Sequence, residues 1–233
     1  MSSFKSNILE QISKFPDGKI FTFNDLLFPI EKTANVAVIL SDLSKESKLV
    51  RVEKGAYYKP KKSNLGLGLL PVFQEEQIVY LTKKLNGYLS GSYIYNKMSL
   101  TEQVSPTITI ATNNPVRPFS FKNMSIECVK AYVKDIPNDE SELNLLRILD
   151  AIKDIKHIPA VSPQDAYNKI FSYHLSKLSQ KELNKIVSLS ILYPPRVRKI
   201  LSDMMKQTNN IDLMKSLINT ISPTTRFDLS YMG

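Results

Sequence analysis

Along the N-terminal quarter of the chain, the spacing of apolar residues changes from helical to strand period in a fixed order, which restricts the available folds. The first stripe has near-helical spacing and consists of Phe4, Ile8, Ile12 and Phe15. Pro16-Asp17-Gly18 ends this predicted helix, and residues 20–23 have the composition of a short strand. Asn24 is expected to cap a second, short helix over residues 25–27, which Pro29 closes.

A third helix is predicted from Thr33, its expected N-cap, because the apolar positions after it repeat at three and four. Those positions are Val36, Ile39, Leu40 and Leu43. Strands over 49–52 and 56–59 follow, and the Gly-bearing turn 53–55 joins them as a hairpin. This is the order of a winged helix-turn-helix, in which the third helix enters the major groove of DNA. A winged helix that contacts protein is the alternative, because a fold does not fix a function.

The N-terminal segment contains a dense cluster of basic residues. The chain has 31 basic and 22 acidic residues, a formal net charge of +9, and residues 45–62 alone carry +5. A basic excess indicates a polyanionic partner, with nucleic acid as the first candidate, although a charge that serves only solubility gives the same number. We therefore predict a DNA-binding domain over residues 1–65. Its expected contact residues are Lys32, Thr33, Asn35, Ser41, Lys45, Lys48, Arg51, Lys54, Lys59, Lys61 and Lys62.

The middle of the third helix is poor in residues that read bases. Ala37, Val38 and Asp42 occupy its free face, and no Arg stands there to contact a guanine through two hydrogen bonds. The polar side chains that could still contact base edges are those of Lys32, Thr33, Asn35 and Ser41. We therefore expect much of the affinity to come from contacts with the phosphate backbone.

The rest of the chain is predicted to form a second domain over 66–233. Its first part, 66–136, is a small mixed unit with a helix at 74–85 and short strands at 108–112, 119–121 and 126–133. Its second part, 137–233, is helical throughout. Two of its helix starts carry typical caps, Ser162-Pro163-Gln-Asp165 and Ser179-Gln-Lys-Glu182. The predicted fold class is therefore α+β.

Residues outside the first domain offer one more basic cluster and no clear catalytic set. Arg196, Arg198 and Lys199 are a candidate second phosphate site, with a solvated helix face as the alternative. His157 and His174 lack metal-ligand spacing, and Cys128 has the setting of a small core residue. The Asp-x-Lys triplet at 154–156 matches a nuclease motif but ends a predicted helix instead of lying on a strand. We expect no enzymatic activity, no metal and no cofactor.

Several segments resemble antitoxins of the AbiE type, and together they cover most of the chain. Residues 48–60 resemble the wing of that family. Residues 91–92, 95–106 and 109–112 resemble the segment that follows the wing, and residues 178–183 and 193–198 resemble the C-terminal helical part. The chain departs from the family at Ser47, where Gly is common, and at Ala37 and Val38, where basic residues are common. These departures concern operator affinity and sequence choice more than the fold.

The resemblance implies a bacterial antitoxin of a type IV toxin–antitoxin system, of the kind associated with abortive infection and phage defence. Its winged helix would repress its own operon by binding inverted repeats in double-stranded DNA. The remainder would counteract a nucleotidyltransferase-like toxin without needing a stable complex. Two other hypotheses stay open. One is a stand-alone transcriptional regulator with a C-terminal oligomerisation or ligand module, and the other is a DNA-processing enzyme or its subunit.

The sequence also bears on location. No apolar run approaches the ~18 residues that a membrane span requires. The N-terminus lacks the basic-then-apolar pattern of a signal peptide, and the single cysteine, Cys128, forms no internal disulfide. We therefore expect a cytoplasmic protein with no membrane partner.

Overall fold

The computed structural model describes residues 4–63, 68–114 and 116–227. Within these ranges the protein is α+β with two small sheets, as predicted. It divides into two compact units, Met1–Leu81 and Thr82–Gly233. The predicted boundary between 65 and 66 falls in residues 64–67, outside the described residues. No helix in the described ranges is long and apolar enough to cross a membrane.

The first unit contains a three-stranded sheet and three helices. Its elements are α1 (Phe4–Lys14), β1 (Ile20–Thr22), α2 (Thr33–Lys45), β2 (Val50–Glu53), β3 (Ala56–Tyr58) and α3 (Gln74–Lys84), whose last three residues belong to the second unit. The strands are antiparallel in the order β1-β3-β2. β2 and β3 form the predicted hairpin, and its turn places Gly55 at a φ of +81°, where residues with a side chain are strained.

The apolar stripes of α1 and α2 meet in the core of this unit. Ile8, Val36 and Leu40 have no exposed surface. Phe21 of β1 is 1% exposed and stacks on Phe15 with ring centroids 4.7 Å apart. Burying each such side chain contributes roughly 1.5–3 kcal/mol. This packing confirms the predicted stripes and leaves the opposite face of α2 exposed.

The second helix of the predicted winged helix is not an α-helix. Phe23–Asp25 and Ile30–Lys32 each form one 3-10 turn. Asp25 accepts hydrogen bonds from the backbone N–H and the hydroxyl of Thr22 at 2.7 and 2.8 Å, so Thr22 replaces Asn24 as the cap. The physical reason is length, because the few residues before Pro29 are too short a segment for a helix nucleus to propagate. Thr33 is likewise no cap, since its hydroxyl donates to the Ile30 carbonyl at 2.6 Å.

The second unit begins with a four-stranded sheet. Its elements are β4 (Gly87–Ser90), α4 (Gly91–Lys97), β5 (Thr107–Thr112), β6 (Phe119–Phe121) and β7 (Met124–Lys130). The order is β4-β5-β7-β6, with β5 and β7 parallel and the other pairs antiparallel. The sequence predicted β5 and β6 closely. It missed β4, and it placed the last strand two residues late, at 126–133.

The C-terminal part of the second unit is helical, as predicted. Its helices are α5 (Glu140–Lys153), α6 (Pro163–Lys169), α7 (Gln180–Ser190), α8 (Pro195–Gln207) and α9 (Ile211–Asn219), with a π-helical turn at Ile170–His174. Both predicted caps are present. The Ser162 hydroxyl accepts from the Asp165 N–H at 3.1 Å, and Ser179 forms a capping box with Glu182.

A buried carboxylate joins the sheet and the helices of this unit. Asp150 on α5 is 2% exposed. It accepts hydrogen bonds from the hydroxyls of Ser90 at 2.7 Å, Tyr88 at 2.9 Å and Tyr193 at 3.0 Å. Burial raises the pKa of the Asp150 carboxyl, whereas the charge of Lys153 and the three hydroxyl donors act in the opposite direction. These bonds link β4, α5 and the segment before α8.

Candidate nucleic-acid interface

The free face of α2 carries most of the helix residues that the sequence predicted as contacts. Ala34, Val38, Ser41 and Lys45 follow one another at helical spacing and are all exposed. Lys32, Thr33 and Asn35 are exposed at the N-terminal end. The face is mixed in character, because Val38 is an apolar residue with 60% exposure at its centre.

A shallow depression of about 300 Å³ lies between the last turns of α2 and the hairpin. Its lining residues are Ser41, Ser44, Lys45, Arg51 and Tyr57. Arg51 uses its Nε to donate to the Glu53 carbonyl at 3.2 Å, which fixes the direction of the guanidinium. Lys45 has one exposed ion pair, with Asp42 at 3.4 Å, and pairs of this kind are weak. Two cations beside two serine hydroxyls suit a phosphate group.

Ser44 and Tyr57 are members of this site that sequence reasoning missed. Ser44 lies one helical turn after Ser41, so the predicted helix could have placed it there. Tyr57 is opposite Arg51 in the hairpin register. A register drawn from the Gly55 turn would have found it, although its position in the strand favours a core role, and it is 5% exposed.

The hairpin turn and the segment before β2 each carry one exposed lysine, and among the described residues only the second has an ion-pair partner. Lys54 is exposed at the tip of the hairpin, next to Gly55. Lys48 is also exposed but lies 2.8 Å from Glu46, and this contact lowers the pKa of the Glu46 carboxyl. Ser47, at the position where the resembling family commonly has Gly, has a φ of +55°, which is the region that glycine favours.

The basic residues after the hairpin do not all join this surface. The amine of Lys59 donates to the Ser13 carbonyl at 3.1 Å and lies 3.3 Å from Asp17, so it is directed toward the end of α1. Lys61 and Lys62 are exposed. The structure therefore groups Ser41, Lys45 and Arg51, and it places Lys59 elsewhere.

The second basic cluster is engaged within the second unit. Arg196 donates to the carbonyl of Lys153, the last residue of α5, at 2.6 Å. Arg198 donates to the carbonyl of Thr220, just after α9, also at 2.6 Å. Lys199 pairs with Asp203 at 2.8 Å. The two arginines stabilise helix C-termini, where carbonyls lack partners and the helix dipole is negative.

The residues weighed for catalysis are distributed over the end of α5, the turn after it, the π-helical turn and β7. His157 is exposed in the turn after α5, and His174 lies in the π-helical turn with Nε2 2.8 Å from the Met98 carbonyl. Asp154 accepts from the Tyr95 hydroxyl at 2.8 Å. Burial raises the pKa of the Cys128 thiol on β7, which makes it a weaker nucleophile at neutral pH. Among the described residues, no group of His, Cys, Asp and Glu could hold a metal ion.

Comparisons with known proteins place the chain in a family. No curated protein has significant sequence similarity to it. The crystal structure of the RV2827C protein from Mycobacterium tuberculosis aligns with a TM-score of 0.38 and 13% identity, over 97% of this chain and 84% of that one. A TM-score this low does not establish a common fold. The model of a family of unknown function, DUF6088, matches residues 7–183, and the chain therefore belongs to that family.

Proposed function

We propose that the chain is an antitoxin that represses its own operon, and that the first unit is a winged helix-turn-helix that binds double-stranded DNA. The observation that carries the DNA-binding part is the depression that groups Ser41, Lys45 and Arg51 beside the exposed face of α2. The antitoxin part rests on the resemblance to AbiE-type antitoxins, whose toxin partner is nucleotidyltransferase-like.

The order of elements in the first unit supports this proposal. α1, β1, α2 and the β2–β3 hairpin follow the order of a winged helix, with two 3-10 turns in the place of the second helix. In this interpretation α2 lies in the major groove, and Lys32, Thr33 and Asn35 are nearest the base edges. Lys45 and Arg51 bind one phosphate, and Lys54 on the wing binds the backbone farther along.

Protein contact by the same helix is a second candidate, and one observation favours it. Leu27 and Ile30, in the segment before α2, are 83% and 82% exposed, and Val38 on α2 is 60% exposed. When exposed apolar side chains form a contiguous patch, they are typical of a surface that binds another protein. DNA binding and protein contact can be distinguished by mutation, because only DNA binding depends on Lys45 and Arg51.

The DNA-binding part is tested by replacing Lys45 and Arg51 together with Ala. We expect weaker binding to a duplex from the chain's own promoter, and a slope of log K against log salt that is shallower by about 0.9 for each lost phosphate contact. Fluorescence anisotropy at several salt concentrations measures both quantities. The control is Lys14→Ala with Lys19→Ala, which removes the same charge from exposed residues outside the site. Equal slopes for the two double variants would contradict the proposed phosphate site.

The antitoxin part is tested by co-expression with the product of the adjacent gene. We expect that gene to stop growth when expressed alone and the full chain to relieve the arrest. The Lys45/Arg51 double variant should still protect cells while it loses repression of a promoter fusion, because a type IV antitoxin need not act through DNA. Repression without protection would instead identify a stand-alone regulator.

A further inference from the structure

A cleft of about 460 Å³ opens in the second unit between α4, the start of α5 and the π-helical turn. Its apolar lining consists of Ile94, Met98, Leu145, Ile148, Tyr173 and Leu178. Ile94, Leu145 and Ile148 belong to the buried core, whereas Tyr173 keeps 47% of its surface exposed. The volume lies within the range of small-molecule sites, roughly 300–1,000 Å³. The cleft therefore combines a fixed apolar floor with an exposed aromatic wall.

The negative groups at its rim already have partners. The Arg147 guanidinium donates to the Glu140 carboxylate and, at 2.7 Å, to Oδ1 of Asn144. The Glu182 carboxylate accepts from the Ser179 N–H at 2.8 Å and from its hydroxyl at 2.6 Å. A bound cation would have to compete with these bonds, so the rim offers little to a positively charged ligand.

The positive and donor groups at the rim are less fully engaged. Lys97 is exposed, lies 5.7 Å above the ring of Tyr93, and has no ion-pair partner among the described residues. His174 donates Nε2–H to the Met98 carbonyl at 2.8 Å, because a carbonyl can only accept. Its Nδ1 has no hydrogen-bond partner among the described residues. These groups suit a ligand that carries negative charge.

The π-helical turn is the segment that supplies both Tyr173 and His174 to the cleft. Such turns are rare and occur frequently at functional sites. The charge of the whole unit points the same way, since residues 82–233 contain 20 basic and 13 acidic residues, a net charge of +7. A unit with this excess attracts anions.

We propose that this cleft binds a small organic anion with an apolar or aromatic body. The body lies against Ile148, Tyr173 and Leu178, and the anionic group faces Lys97 and His174. This site is independent of the DNA-binding surface, since every lining residue belongs to the second unit. The proposed anion site can therefore be tested separately from the proposed DNA binding and the proposed antitoxin function.

The probe is 8-anilinonaphthalene-1-sulfonate, an aromatic sulfonate, added to the full chain. The chain has two histidines, so the imidazole NMR signals of His174 and His157 can be assigned with a single His157→Gln variant. We expect a saturable shift of the His174 signals at one probe per chain, with the exposed His157 unchanged. N-phenyl-1-naphthylamine, which has the same rings without the sulfonate, should bind at least 10-fold more weakly.

Charge reversal at Lys97 distinguishes specific binding in the cleft from non-specific binding of the dye to a basic protein. We expect Lys97→Glu to weaken binding of the sulfonate by at least 10-fold. Lys215→Glu makes the same charge change at an exposed position on α9 and should have little effect. The proposal is overturned if His174 and His157 shift together, if the two glutamate variants weaken binding equally, or if the uncharged probe binds as tightly as the sulfonate.

Discussion

Replacing Asp150 with Leu is expected to remove about 3–5 kcal/mol from the free energy of unfolding of the second unit. Leucine has the same branched arrangement of heavy atoms as the carboxylate side chain, although it is larger, and it accepts no hydrogen bond. Three buried hydroxyls, on Tyr88, Ser90 and Tyr193, would lose their acceptor. Each unsatisfied buried donor costs roughly 1–3 kcal/mol. Tyr193 is the least affected of the three, because the Leu146 carbonyl lies 3.5 Å from its hydroxyl as a second acceptor.

Amide hydrogen exchange of α5 in the full chain measures this loss in the second unit alone. Asp154→Leu is the matched control, one helical turn farther along, where a half-exposed carboxylate accepts from Tyr95. We expect it to cost about 1 kcal/mol. A compensated variant that adds Tyr88→Phe, Ser90→Ala and Tyr193→Phe to Asp150→Leu removes the donors as well. It should recover much of the loss, and failure to do so would mean that packing rather than hydrogen bonding explains the effect.

The same carboxyl has a defined pH dependence. Burial raises the pKa of Asp150 in the folded state above its ordinary value of 3.8, so the folded chain binds this proton more tightly than the unfolded chain. Ionisation of this carboxyl therefore lowers the stability of the folded chain at neutral pH relative to the protonated form, and this cost disappears as the pH falls through the raised pKa toward 3.8. Relative to Asp150→Asn, which cannot titrate, the wild type should gain stability on acidification. A constant difference between the two would contradict the raised pKa.

Helices marked by a regular spacing of apolar residues could be predicted from the sequence. A strand that forms only because it pairs with another strand could not. The stripes of α1 and α2 and the capping box at Ser179 are local signals that the structure confirms. β4 has no such signal, since Gly-Tyr-Leu-Ser has neither β-branched residues nor alternation. It is a strand because it pairs with β5, from Gly87 opposite Thr112 to Ser90 opposite Thr109.

The same division holds for the candidate interface. Composition could identify the cations of the first unit, and helical spacing could place Ser41 and Lys45 on the exposed face of α2. The direction of a long side chain depends on neighbours that are distant in sequence. Lys59 is held by Ser13 and Asp17, and Arg196 by the end of α5. Charge counting therefore overestimated the basic residues that are open to a ligand.

Gly91→Ala is expected to destabilise the second unit by about 2–5 kcal/mol, from two separate causes. Gly91 joins β4 to α4 with a φ of +69°, and a residue with a Cβ pays about 1–2 kcal/mol there. A Cβ would also lie 2.7 Å from Oγ1 and 2.8 Å from Cβ of Thr109, which is opposite Ser90 in the sheet. Relieving that overlap costs a further 1–3 kcal/mol or so. Hydrogen exchange of β5 and thermal unfolding measure the total.

Two variants divide this total between its causes. Gly18 has a φ of +81° and no atom within 4 Å of an added Cβ, so Gly18→Ala reports the backbone cost alone, in the first unit. We expect about 1 kcal/mol there, because alanine also restricts the unfolded chain. Thr109→Ala removes Oγ1 and Cγ2 and should make Gly91→Ala less costly than in the wild type, a coupling that a double-mutant cycle measures. Equal costs for Gly91→Ala in the wild type and in Thr109→Ala would mean that Oγ1 and Cγ2 of Thr109 contribute nothing, and that the cost comes from the backbone conformation and from the Cβ of residue 109, which both variants keep.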